Sequence, residues 1–176
     1  MITEKGCEFE YGIVRKFQEQ DLASVMFDLI DEDVEFISKI PGNPGPAEHV
    51  YSTVMSSLIA FSILNPEEKV MSIVGARASG DLGSGDLWFF SSSEFFKTLQ
   101  AEDRNFAASF EFLRRSIELI DFIQGLFPVL KCFSVKTNKI VCRRNELMGF
   151  KLSHSCENFN YYTRSYDGRR HRILQE

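Results

Sequence analysis

Asn138-Lys-Ile-Val-Cys-Arg-Arg-Asn145-Glu-Leu147-Met-Gly149-Phe150 is the stretch on which the fold reading turns. Asparagine at 138 is a helix-cap residue type, because its side-chain oxygen can accept an N–H from the first turn. Gly149 stands where glycine alone takes a left-handed cap without strain. The segment therefore predicts a helix over 138–147, closed by Gly149 and followed at once by a strand over 150–153. Upstream, 130–135 reads as a strand. Before it, Pro128 stops a long helix over 101–127, whose apolar face is Phe106, Phe110, Leu113, Ile117 and Ile120. Phe112, Leu119, Phe122 and Leu126 widen that face, so the helix is expected to be covered on more than one side. A last strand over 159–163 is expected antiparallel to the one that opens at Phe150.

Working toward the N-terminus, 93–99 predicts a short helix and 87–91 a short buried strand centred on Trp88. The loop over 78–85 is rich in glycine and serine. Residues 69–77 and 56–64 form an antiparallel hairpin across the turn Asn65-Pro66-Glu67-Glu68. Pro41-Gly42-Asn43-Pro44-Gly45-Pro46 ends a helix over 31–40. Acidic residues at Gln18-Glu19-Gln20-Asp21 favour the start of another helix, ahead of Leu22, Val25, Met26, Leu29 and Ile30. A first strand runs over 10–17, with Ile13, Arg15 and Phe17 on one face. The order is strand, two helices, three strands, helix, strand, helix, two strands. This predicts an α/β fold with a mixed, mostly antiparallel sheet and helices on both faces.

Length and composition agree with one domain over 1–163 and a basic tail over 164–176. The 176 residues are 44% hydrophobic, and no run is long enough to span a membrane. The N-terminus lacks the basic and apolar regions of a secretory signal. A net charge of −5 excludes a general nucleic-acid binder. Arg164, Arg169, Arg170 and Arg172 form a local exception that could touch DNA or an acidic partner. Cys7, Cys132, Cys142 and Cys156 fall in no metal-binding spacing and read as structural thiols, so no metal is expected.

The element order and the Asn138…Gly149-Phe150 interval resemble the GNAT acetyltransferases, as do Val14-Arg15 and Gln20-Asp21-Leu22. The resemblance spans most of residues 13–153. It implies that the strands near 87–91 and 130–135 lie side by side and splay apart at their C-terminal ends. It also implies an acyl-CoA site whose pyrophosphate is gripped by a glycine-rich loop after the fourth strand of that fold. At that place the chain reads Phe90-Ser91-Ser92-Ser93-Glu94-Phe95, with neither glycine nor arginine. Many members also place a tyrosine seven residues after the asparagine, as the acid toward the departing thiolate. Here that position is Asn145, which cannot donate a proton in that way.

Two absences point to a protein that keeps the fold without the chemistry: no catalytic residue and no cofactor are expected. Leu87-Trp88-Phe89-Phe90-Ser91-Ser92, the phenylalanine-rich long helix and Phe127-Pro128-Val129-Leu130 resemble the small internal virion proteins of short-tailed bacteriophages. That resemblance implies a structural or assembly protein in the virion or host cytoplasm, in contact with other protein subunits. Some of Phe95, Phe96, Phe112, Phe122 and Phe127 would then be exposed for those contacts. The alternative is an N-acyltransferase with an atypical phosphate loop, holding acetyl-CoA through Ser91, Ser92, Ser93 and Asn138. Under it, Glu67, Glu68 and Asp86 are the acids to consider as bases. Trp88 reads as core rather than as a ligand platform.

Overall fold

A computed structural model describes residues 6–9, 12–99 and 105–166, and the side chains among these outside 105–108. Phe106, Arg169, Arg170 and Arg172 are therefore outside what can be described. The described residues form a single eight-stranded sheet. In chain order the elements are β1 (Cys7–Phe9), β2 (Gly12–Lys16), α1 (Glu19–Met26), α2 (Asp31–Ser38), α3 (Pro46–Met55), β3 (Ile59–Leu64), β4 (Val70–Ala78) and β5 (Ser84–Ser91). They continue with α4 (Glu94–Leu99), α5 (Asn105–Gln124), β6 (Val129–Val135), α6 (Lys139–Leu147), β7 (Lys151–Ser155) and β8 (Phe159–Ser165). The sheet order is β1-β2-β3-β4-β5-β6-β8-β7. Every neighbouring pair is antiparallel except β5 and β6, which run parallel across the connection through α4 and α5.

Alternation along the strands builds two cores. On one face, Phe61, Ile63, Val74 and Ala76 pack with Phe112, Leu119, Ile120 and Ile123 of α5 and with Cys142 of α6. On the other, Ile73 and Phe90 pack with Leu22 and Val25 of α1, Ile37 of α2 and Val50 and Val54 of α3. Gly75 faces Trp88 across the β4–β5 ladder. A Cβ there would lie 2.5 Å from Trp88 Cζ2 and 2.4 Å from the Ile59 carbonyl oxygen. Glycine at this place is what lets the indole lie flat on the strand.

Several boundaries differ from the sequence reading, each for a local reason. A short β1 precedes β2 as a hairpin partner, too brief to show alternation. The stretch after the proline loop is the helix α3, with Pro46 in its first turn. Strand β3 accordingly starts at Ile59 rather than Ser56, whose hydroxyl donates to the Thr53 carbonyl (3.1 Å) at the helix end. Strand β5 begins at Ser84, because Gly85 and Asp86 pair with both β4 and β6. Helix α6 matches: Asn138 accepts the Val141 N–H at 3.1 Å, and Gly149 has a φ of 87°.

Of the five phenylalanines among which the sequence predicts exposed ones, none is fully exposed. Phe112 and Phe127 are buried, and Phe95, Phe96 and Phe122 are partly covered by neighbouring rings and the α5 face. The exposed apolar side chains are others, among them Phe27 (83%), Ile140 (83%) and Phe110 (62%). Nor does Arg164 belong to a tail. It is a buried residue of β8, ion-paired with Asp121 of α5, because an arginine in the ladder needs a carboxylate once desolvated.

The start of α1 is tied to the sheet by Asp21, which is buried. Its carboxylate accepts two N–H bonds from Arg15 (2.8 and 2.7 Å), the Ser62 hydroxyl at 2.6 Å and the Gln18 N–H at 3.0 Å. Removing that acceptor strands three donors at once. Asp21→Ala is expected to cost about 3 kcal/mol in urea-unfolding stability, against about 1 kcal/mol for Ser62→Ala, which removes a single neutral donor.

Candidate ligand-binding cleft

Strands β5 and β6 pair only through Ser84↔Val129, Gly85↔Leu130 and Asp86↔Lys131. Beyond these, β5 stays with β4 while β6 stays with β8. The sheet therefore opens toward the C-terminal ends of the two strands, as expected. A cleft of about 130 Å³ occupies the opening. It is lined from both sides of the sheet: Asp33, Phe36 and His49 from α2 and α3, and Phe112, Arg144 and Asn145 from α5 and α6. Trp88, Phe89 and Phe133 supply the strand walls. Trp88 is thus part of a cleft wall rather than plain core; its indole N–H donates to Ser57 Oγ (2.8 Å), and its ring stacks on Phe90.

The loop after β5 is the place where the resemblance puts a pyrophosphate, and the amides of Ser91, Ser92, Ser93 and Phe95 are already engaged there. The Ser91 N–H donates to Asp33 Oδ2 at 2.7 Å. That of Ser92 donates to the Met71 carbonyl (2.9 Å), and that of Phe95 to the Ser92 carbonyl (3.0 Å). The Ser93 N–H is shared between the Asp28 carbonyl (3.0 Å) and Asp28 Oδ2 (3.2 Å). The hydroxyls are spoken for as well. Ser91 Oγ lies 3.0 Å from Ser72 Oγ, Ser92 donates to the Val70 carbonyl at 2.6 Å, and Ser93 to Asp28 Oδ2 at 2.5 Å. Glu94 is paired with Lys97 at 2.8 Å. Two carboxylates, Asp28 and Asp33, thus take the Ser93 and Ser91 amides that the resemblance would offer to phosphate oxygens. The residues present do not fit a coenzyme A pyrophosphate.

The other positions singled out in the sequence scatter. Asn138 is a helix cap, and Asn145 is buried beside the cleft. Glu67 and Glu68 lie on the exposed β3–β4 turn. Asp86 lines the cleft but faces Arg77 at 3.6 Å. The four cysteines are free, and no group of three or more His, Cys, Asp or Glu suited to a metal occurs among the described residues. Burial pushes the Cys132 thiol up to about 12, so it is no nucleophile.

Asp28, Asp33 and Arg144 were not evident from the sequence. The two aspartates look like ordinary helix-start acids. For Arg144 a signal existed: Val141, Arg144, Asn145 and Met148 recur at helical spacing and all line the cleft, so an arginine stands on the inward face of α6. Its guanidinium lies over the Phe89 ring, 5.0 Å from the centroid. The residue keeps some accessible surface because it lines a cleft, yet its head is removed from bulk water and burial lowers its pKa. Burial likewise raises the Asp33 carboxyl to about 7, against the Ser91 N–H and the Arg144 charge, which both lower it. His49, placed by the proline loop through Asn43 (2.8 Å from its Nδ1), is shifted down by burial and then by Arg77.

No protein-family model matches the chain, and no curated protein does. Solved structures do. An acetyltransferase of the GNAT family from Bacillus anthracis superposes with a TM-score of 0.60 over 91% of this chain and 98% of its own, at 14% identity. The ribosomal-protein-S5-alanine acetyltransferase of Vibrio fischeri gives 0.58 over 92% and 97%, at 12% identity. A spermidine/spermine N-acetyltransferase from Vibrio cholerae gives 0.57 over 92% and 96%, also at 12%. The fold is GNAT-like. At these identities the likeness speaks of architecture, and the cleft of this GNAT-like chain has to be read from its own residues.

Asp33 makes the cleft sensitive to pH. Its folded pKa lies above the unfolded one of 3.8, so the folded state holds the proton more tightly. The associated stability is complete below about pH 4 and lost as pH rises through about 7, a change of up to about 4 kcal/mol. Asp33→Asn keeps an acceptor for Ser91 but does not titrate. Chemical denaturation at a series of pH values should show the wild type losing stability relative to Asp33→Asn over that interval; parallel profiles would contradict the burial of a charge there.

Proposed function

We propose that this chain is a binding protein built on the GNAT fold, not a coenzyme A-dependent acyltransferase. One observation carries the reading: the amides of Ser91 and Ser93 are taken by Asp33 and Asp28. A pyrophosphate entering there would lose those donors and meet two carboxylates. No tyrosine stands at 145 to act on a thiolate. The sequence resemblance to internal virion proteins of short-tailed phages supports a setting among other protein subunits, in a particle or during its assembly. With the five phenylalanines covered, that contact would fall to other surfaces, such as those around Phe27, Phe110 and Ile140.

A second reading, an N-acyltransferase with an atypical grip on acetyl-CoA, is favoured by a different observation. The β5–β6 opening is present and walled, and the solved structures named above that share the fold are acetyltransferases. Isothermal titration separates the two. The wild type is expected to bind acetyl-CoA no more tightly than about 10 μM. The double variant Asp28→Asn, Asp33→Asn should improve on it by about tenfold, since the repelling charges are then gone. Tight binding by the wild type would instead restore the acyltransferase reading. Mass spectrometry of virions from a phage encoding the chain checks the particle setting, and its absence from them would refute that part.

A further inference from the structure

The cleft holds two opposite charges that do not meet. Arg144 projects from α6 on one side of the sheet, and Asp33 from α2 on the other; each feels the other's charge, but they form no ion pair within 4.0 Å. Each is held back by its own restraint. Asp33 is fixed by the Ser91 N–H, and Arg144 lies over Phe89. Among the described residues the guanidinium has no hydrogen-bond or ion-pair partner, and its Nε is buried without an acceptor. A cation with an open fork and a buried, unpaired Nε, in a cleft walled by aromatic rings, carries a desolvation cost that a bound anion would offset.

An anion alone would leave the cleft with a net negative charge beside Asp33. A ligand carrying both charges, reversed, keeps it neutral. We propose that this cleft binds a small zwitterion, an α-amino acid with an apolar side chain, its carboxylate on Arg144 and its ammonium toward Asp33. Trp88, Phe36 and Phe133 are then the walls for the side chain. Space agrees: at roughly 10–15 Å³ per water-sized group, about 130 Å³ admits on the order of ten non-hydrogen atoms, the size of leucine or phenylalanine. Glu32, His49 and the Arg77–Asp86 pair also line the cleft; Arg77 and Asp86 neutralise each other, and Glu32 is solvent-exposed, so water screens its charge. The inference shares with the proposed function the Ser91 N–H bond that holds Asp33, but it uses no acyl donor, so binding of the amino acid and binding of acetyl-CoA are tested separately.

The chain has a single tryptophan, Trp88, and it stands in the cleft wall, so its fluorescence reports on this site. L-leucine and L-phenylalanine are titrated against the full chain at about pH 8, where Asp33 is mostly ionised and the ligand ammonium is still charged, with calorimetry in parallel. A saturable change in Trp88 emission is expected for at least one of them. 4-Methylpentanoate, which lacks the ammonium, and isopentylamine, which lacks the carboxylate, should bind at least tenfold more weakly than leucine. Arg144→Met should lose at least tenfold in affinity, Arg144→Lys less, and Asp33→Asn should lose the preference for leucine over 4-methylpentanoate. Because Arg144→Met removes a buried unpaired charge, it should melt no lower than the wild type without ligand; a lower melting temperature would mean that Arg144 is a structural support, and would overturn the proposal. So would the absence of any saturable change for both amino acids at millimolar concentration, or equal binding of 4-methylpentanoate and leucine. Acetyl-CoA is absent throughout, so failure here says nothing for or against the cofactor reading, which the titration with acetyl-CoA decides.

Discussion

Three residue pairs hold the two halves of this sheet together. Strands β1 to β5 form one antiparallel block and β6 to β8 another, and the join is Ser84–Asp86 against Val129–Lys131. A parallel pair that short contributes few hydrogen bonds, so the join depends on what packs over it. Leu130, buried in the join, and Phe127, packed on Gly85, belong to the same core as α5, which spans the seam. Had the pairing continued past Asp86, Leu87 to Phe90 would face Cys132 to Val135 directly and no cleft would exist. The opening follows from strand divergence, and every group in it is positioned by where its own strand or helix goes after the seam.

The loop after β5 shows how one scaffold can carry opposite electrostatics. A turn that exposes several N–H groups is a general anion receptor, whatever supplies the anion. Here the chain supplies it. Segment 28–33 lies against the loop, with the Ile30 N–H bonded to the Ser91 carbonyl and Leu29 bridged to Ser92, so the two aspartates arrive already oriented. An internal carboxylate loses less entropy on docking than a free phosphate, and it is present at fixed effective concentration. A carboxylate supplied by the chain itself reaches these amides without any glycine in the loop.

The sequence made the architecture legible where residue type and backbone demand coincide. Asn138 with its cap bond and Gly149 in the left-handed region bounded α6 correctly, and the proline–glycine cluster at 41–46 marked a real break. It was misleading where a residue's role depends on distant chain. Arg164 reads as the first charge of a basic tail until β6 and α5 place it beside Asp121. Phenylalanine count suggested surplus apolar surface, but the wide faces of α5 absorb the rings. The cleft itself was half legible: the missing glycines and the asparagine at 145 were visible, while the aspartates that fill the phosphate place come from a segment some sixty residues earlier in the chain.

A purely structural account of the cleft faces an energetic difficulty. Replacing separated buried charges with apolar residues of similar volume is commonly neutral or stabilising, so stability alone gives no reason to hold Asp33 and Arg144 apart. Collapse of the two into a direct ion pair would also be cheaper than leaving the Arg144 Nε without an acceptor. Neither has occurred, because the Ser91 bond and the Phe89 face hold each group to its own side. Under the proposed reading, such an arrangement is that of a receptor before it meets a ligand. The aspartate that takes the Ser91 amide would then also form one pole of the cleft, so that both proposals, no grip on coenzyme A and a grip on a zwitterion, rest on a single side chain.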